Sequence, residues 1–194
     1  MLLAYALMLS LATPPLTAPE IERVLQGEVL VRSEPAVTQA GKTAGYGVGA
    51  IEIDRSIEET WKVVANYEDK AEYQPRVDKC TVVSRKGNVL RVAMALNATI
   101  MTVSYTGVYT LDPVNHTVRW GLDRQATGNT IRDMDGGYTL IPVSKTRTIL
   151  YFKTYVDSGR MVPRFVQNYF SVKAIPALLH AVKQRVETGG KWHK

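Results

Sequence analysis

The sequence predicts an α+β fold: a curved antiparallel sheet wrapped around one long C-terminal helix, with an apolar cavity between them. Three observations predict it. Period-two alternation of apolar and polar residues recurs over a central series of segments separated by turn residues. An apolar stripe at helical spacing runs through the C-terminal region. A proline, Pro176, interrupts that helix and would bend it away from a flat sheet. A chain of 194 residues with 45% hydrophobic and 22% charged residues is large enough for one domain with its own core, and is neither disordered nor fibrous.

The first segment, Met1–Ala12, reads MLLAYALMLSLA. It is shorter than the roughly 20 residues that span a bilayer and suits the apolar region of a secretory signal peptide. No Lys or Arg precedes it, so an anchor is the alternative. Residues 1–18 are expected to be a signal peptide or leader plus linker, and residues 19–190 the domain. The protein is then exported (periplasmic or extracellular), or cytoplasmic if the run is not a signal.

Residues 19–26 suit a short helix with Ile21, Val24 and Leu25 on one side, closed by Gly27. Residues 28–32 and 46–53 read as strands. Ser56-Ile57-Glu58-Glu59 is a capping box that opens a helix with Ile57, Trp61, Val64 and Ala65 on one face, and Pro75 ends any helical continuation. Strands are then expected at 79–86, 89–97, 99–111, 116–123, 134–143 and 146–156. Their turns fall at Gly87-Asn88, Asn97-Ala98, Val114-Asn115 and Ser144-Lys145. A helix from Pro163 to Thr188 follows, stopped by Gly189-Gly190. Its stripe is Phe165, Tyr169, Val172, Leu179 and Val186.

Tight turns at those places fix the register. Val83 then faces Val92, Met94 faces Met101, Val92 faces Val103 and Leu90 faces Tyr105. Leu111 faces Val118 and Tyr109 faces Trp120. Paired residues share a face, so one face gathers these apolar residues with Leu122, and the other gathers Ser, Thr and Arg. That is a sheet with one wet side. In the last hairpin Tyr138, Leu140, Ile149 and Tyr151 are expected together, with Leu150, Phe152 and Val156 opposite.

Several stretches, in this order, resemble the START-like helix-grip superfamily, which includes the polyketide cyclase/dehydrase and coenzyme-Q-binding START-like families. They are Trp61–Tyr67, Tyr73–Val77, Gly136–Leu140 with Pro142, Thr148–Tyr151, Gly159–Pro163 and Ala181–Arg185, within roughly residues 45–188. The resemblance implies a helix-grip fold with a cavity for lipids, quinones, polyketides or other hydrophobic molecules. It implies no single activity, because one fold hosts carriers and enzymes alike. The expected function is binding or carriage of a hydrophobic small molecule without evident catalysis. The alternative is a cyclase/aromatase-type enzyme using the same cavity.

The expected lining on the sheet is Leu90, Val92, Met94, Met101, Val103, Tyr105, Tyr109 and Trp120, joined by Tyr138 and Tyr151. The helix contributes Phe165 and Tyr169. Methionine adapts to irregular ligands, and tyrosine hydroxyls can orient a polar head group. The same residues would also make an ordinary core. The reconstructed face holds no Asp, Glu, His or Lys, which disfavours acid–base catalysis. Lys153 shares a face with Tyr151, and Asp123, Asp133 and Asp135 flank strand ends; solvation is their default.

His116, His180 and His193 lack metal-ligand spacing, so no metal site is expected. Gly41-Lys42-Thr43 lacks the earlier glycine of a phosphate-binding loop, and no cofactor motif is seen. Cys80 reads as an inert, half-buried thiol. Asn97-Ala98-Thr99 and Asn115-His116-Thr117 are formal glycosylation sequons at turns, where Asn has structural uses. The net charge of +6 comes from scattered Lys and Arg. It reads as a solvated surface, with contact to an anionic membrane as the second reading and no nucleic-acid footprint.

Overall fold

The computed structural model describes residues 15–38, 41, 43–98, 102–158 and 174–194. The Met1–Ala12 run, Met101, Pro163, Phe165 and Tyr169 lie outside the described residues. Eight strands form one antiparallel sheet: β1 (Leu30–Val37), β2 (Thr43–Ile53), β3 (Val77–Lys86), β4 (Val89–Asn97), β5 (Thr102–Asp112), β6 (Thr117–Leu122), β7 (Asp133–Ser144) and β8 (Arg147–Asp157). Their order is β1-β2-β8-β7-β6-β5-β4-β3. Among the described residues four helices accompany them: α1 (Ala18–Leu25), α2 (Ile57–Val64), α3 (Lys70–Tyr73) and α4 (Ile175–Glu187). α2 and α3 lie in the crossover from β2 to the far edge strand β3. This is the α+β helix-grip arrangement the sequence predicts.

The capping box forms as expected. The Glu59 amide donates to Ser56 Oγ (3.2 Å), and the Ser56 amide donates to the Glu59 carboxylate (3.1 Å). β1 runs through Pro35, past the end of the strand expected over residues 28–32. An edge strand tolerates proline because one side of its ladder has no partner.

The β5–β6 register is the expected one, with Tyr109 opposite Trp120 and Leu111 opposite Val118. The β4–β5 register differs: Met94 faces Tyr105, Val92 faces Gly107 and Leu90 faces Tyr109. Asn97 pairs with Thr102, and the pairing slips by four residues from the expected one. An even slip leaves every side chain on its predicted face. An odd slip does not. β3 has an irregularity between Val82 and Ser84, so Val82, not Val83, faces Val92, and Val83 is 55% exposed.

In the β7–β8 hairpin the irregularity lies between Pro142 and Ser144, and Tyr138 pairs with Phe152 and Leu140 with Leu150. The turn comes one residue late, and the bulge completes a one-residue shift. Tyr138, Leu140, Leu150 and Phe152 therefore share the inner face. Ile149 and Tyr151 lie on the outer one, in a second core with Val24 of α1, Leu30, Val48 and Ala50.

α4 lies on the inner face against β2. A Cβ at Gly47 would come within 2.8 Å of Ile175, and one at Gly49 within 2.8 Å of Leu179 and closer still to Ile175. Glycine at these positions lets the helix sit close to the sheet. Pro176 falls in the first turn of the described helix. The helix's far end is held by Arg185, which donates to Asp69 (2.9 Å), Glu72 (2.7 Å) and the Trp192 carbonyl (2.8 Å).

Candidate functional site

Between the inner face of the sheet and the start of α4 is a cavity of about 550 Å³. Met94, Val103, Tyr105, Tyr109, Trp120 and Tyr138 line it as the alternation predicts. Leu96, Ile131, Met134 and Phe152 join them, with Ile175 and Leu178 from α4. Leu90 and Val92 lie on the same face but are wholly buried in the core beside the cavity. Tyr151 is a correction: it faces away, under α1, for the register reason above. Lys153 shares that outer face and packs over the Tyr46 ring (4.4 Å), with an ion pair to Glu34 (3.3 Å).

The aromatic residues form a continuous wall. Ring centroids are 4.5 Å apart for Tyr67–Tyr109, 5.9 Å for Tyr109–Trp120, 5.1 Å for Trp120–Tyr138 and 5.3 Å for Tyr138–Phe152. These separations suit tilted and edge-on packing. Small residues make room for it: a Cβ at Gly136 would come within 2.7 Å of the Trp120 ring. The Tyr105 and Tyr109 hydroxyls each lie 3.3 Å from Met94 Sδ. Burial pushes the Tyr105 phenol up to about 12, so it stays a neutral donor.

The cavity also has polar lining, among it Lys70, Gln74, Arg76 and Thr154, and sequence reasoning missed the part around Lys70. Although the β4–β6 face carries no ionisable carboxylate, imidazole or amine, the α2–α3 segment supplies Lys70, which is 1% exposed. Its Nζ donates to the Val64 carbonyl (2.9 Å) and the Tyr73 hydroxyl (3.0 Å). It also stands 4.8 Å from the centre of the Tyr67 ring and 5.9 Å from that of Tyr138. Val64 is the last residue of α2, so the ammonium caps a helix C-terminus, where cations are favoured. Burial pushes its pKa down to about 8, the neighbouring Asp69 carboxylate opposing. Gln74 also lines the cavity, with its side chain in hydrogen-bonding reach of Tyr73 and Tyr138. A faint signal was legible: Tyr67, Lys70 and Tyr73 recur every third residue, so aromatics flank the lysine on one face.

The other candidates have structural partners. Asp123 accepts from Arg91 (2.6 Å), and Asp133 pairs with Arg124 (3.0 Å). Asn115 donates to Asp112 (2.7 Å) in the β5–β6 turn. The Cys80 thiol donates to the Tyr67 carbonyl (3.0 Å), and burial pushes its pKa up to about 11. Among the described residues no three His, Cys, Asp or Glu are grouped to hold a metal.

A sheet gripping a helix around a cavity defines a class of small-molecule-binding folds. Residues 48–187 match the family described as polyketide cyclase / dehydrase and lipid transport, and the chain belongs to that family. No curated relative matches the sequence. Among solved structures, the Zhui aromatase/cyclase from Streptomyces sp. R1128 is similar at a TM-score of 0.63 and 16% identity, over 73% of this chain and 93% of that one. A START superfamily protein from Mycobacterium smegmatis is similar at 0.64 and 15%, over 74% and 97%. A STAR-related lipid transfer protein from Xanthomonas axonopodis is similar at 0.65 and 14%, over 79% and 98%. At these identities the likeness is one of fold.

Proposed function

We propose that the protein binds or carries one hydrophobic small molecule, a lipid, quinone or polyketide-like compound, between the sheet and α4. The carrying observation is the cavity of about 550 Å³, within the roughly 300–1,000 Å³ typical of small-molecule sites, with an aliphatic and aromatic wall and a few polar groups. Buried apolar ligand surface, at about 25 cal/mol per Å², supplies most of the affinity. Similar folds named for lipid transfer and for an aromatase/cyclase support an apolar occupant.

Tryptophan fluorescence tests this. Trp120 lines the cavity, so a quinone with an apolar tail, or a brominated fatty acid, should quench it saturably at one molecule per chain. Trp120→Phe should remove most of that quenching. Non-saturable quenching, or quenching that survives in Trp120→Phe, would overturn the reading.

One observation favours a second reading, a cyclase/aromatase-type enzyme in the same cavity. Lys70 is an amine on the wall with its pKa brought to about 8, a range suited to proton transfer near neutral pH. A carrier returns its ligand unchanged; because ring closure alone conserves mass, chromatographic retention together with the mass of the molecule released after incubation separates the two. Export directed by Met1–Ala12 is part of the proposal. Expressed with that segment, the chain should be recovered from the periplasm or medium at reduced mass; recovery only from the cytoplasm at full mass would reject export.

A further inference from the structure

We propose that the cavity's occupant is an amphipathic carboxylate, an apolar chain ending in a carboxylic acid, seated with its carboxylate against Lys70 and Tyr67. This rests on the hydrophobic-ligand reading and adds the chemistry of the head group. Lys70 is 1% exposed, and an ammonium has three N–H donors. Two go to Val64 O (2.9 Å) and Tyr73 Oη (3.0 Å), with only a long 3.4 Å contact to Val63 O for the third. All three acceptors are neutral. The acidic residues nearest in sequence, Asp69 and Glu72, each give one oxygen to Arg185, at 2.9 and 2.7 Å; the other Asp69 oxygen is buried without a hydrogen-bond partner, and it makes no ion pair with Lys70. Among the described residues Lys70 has no ion-pair partner. A buried cation without an anion is costly.

A second observation points to the same part of the cavity. Tyr67 lines it, and the Tyr67 hydroxyl is buried with no hydrogen-bond partner among the described residues. A buried hydroxyl left unmade costs its desolvation. Two donors, one of them charged, call for an acceptor that is anionic and has two oxygens. A carboxylate meets both conditions, and charge-assisted hydrogen bonds are the strong ones. A neutral carbonyl would satisfy Tyr67 and leave the ammonium uncompensated. A phosphate dianion would exceed one lysine's charge, and the Arg76 guanidinium that also lines the cavity already donates to the Asn97 carbonyl (3.2 Å). From Lys70 and Tyr67 the rings of Tyr109, Trp120 and Phe152 give the chain an apolar path.

The test compares dodecanoate with dodecanol, equal in chain length, by calorimetry on the full-length wild type, Lys70→Met and Tyr67→Phe. Lys70→Met should weaken dodecanoate by about 30-fold or more, the usual consequence of unpairing a buried charge, and dodecanol by less than about 3-fold. Tyr67→Phe should weaken dodecanoate selectively and by less. Unchanged dodecanol affinity reports that the variant cavity is intact. Should Lys70→Met not fold, ¹³C-carboxyl dodecanoate bound to wild type decides: its carboxyl should stay ionised below the ordinary carboxylic-acid range. Equal losses for acid and alcohol, or a bound carboxyl titrating at its ordinary value, would overturn the carboxylate. Binding of neither probe would overturn the hydrophobic-ligand reading with it.

Discussion

Raising the pH from about 7 to about 9.5 stabilises the ligand-free protein through Lys70. Burial lowers its pKa from 10.5 to about 8 in the folded chain, a penalty of roughly 3 kcal/mol at about 1.4 kcal/mol per unit. Between those two values the unfolded state binds one more proton than the folded state, so stability rises with pH. The penalty is fully present below about pH 8 and gone by about 10.5. Lys70→Met removes this titration together with the hydrogen bonds to Val64 and Tyr73, but the loss of those bonds is independent of pH. The stability difference between wild type and Lys70→Met therefore isolates the charge. It should move by about 2 kcal/mol in favour of wild type over that pH range. The Cys80 thiol and the buried Tyr67, Tyr73, Tyr109 and Tyr138 phenols have raised values. They act in the opposite direction at higher pH, and in both chains. Urea unfolding at each pH, extrapolated linearly, gives the numbers. A difference that stays flat to within about 0.5 kcal/mol would refute the claim that Lys70 is a desolvated cation.

Other consequences are as direct. Gly49→Ala places a Cβ against Ile175 and Leu179 and should cost about 1–3 kcal/mol in urea unfolding by overpacking the seat of α4. Tyr151→Phe, on the outer face with α1, should leave dodecanoate affinity unchanged in calorimetry; a marked loss would put Tyr151 back on the cavity. Burial raises the Asp123 carboxyl, but the Arg91 hydrogen bond and the Gln125 amide outweigh it and hold the group below its usual range. Asp123→Asn should therefore be less stable than wild type at neutral pH, with the gap closing as pH falls through the depressed value, measured by thermal unfolding in an acid series.

The cavity's sheet wall was legible because side-chain parity survives an even slip. The β4–β5 register moved by four residues, yet Met94, Tyr105 and Tyr109 kept their predicted face. Parity failed where a bulge added one residue. That exchanged Phe152 for Tyr151 in the last hairpin and Val82 for Val83 in β3, and pattern alone gives no sign of a bulge. The polar lining around Lys70 was not legible for a different reason. A lysine on a one-turn helix reads by default as solvated; only packing of α2, α3 and α4 encloses Lys70, with Arg185 engaging the nearby acids. The Tyr67–Lys70–Tyr73 spacing was visible, but three-residue spacing across a break after α2 carries little weight until the backbone is known.

Native mass spectrometry of protein purified without detergent, before and after incubation with dodecanoate, tests the central claim most directly. One small apolar molecule per chain should be released on denaturation, with dodecanoate exchanging into wild type and held far less well by Lys70→Met. A chain that flies bare under both conditions, or that takes up dodecanoate equally with and without the Lys70 amine, would contradict it.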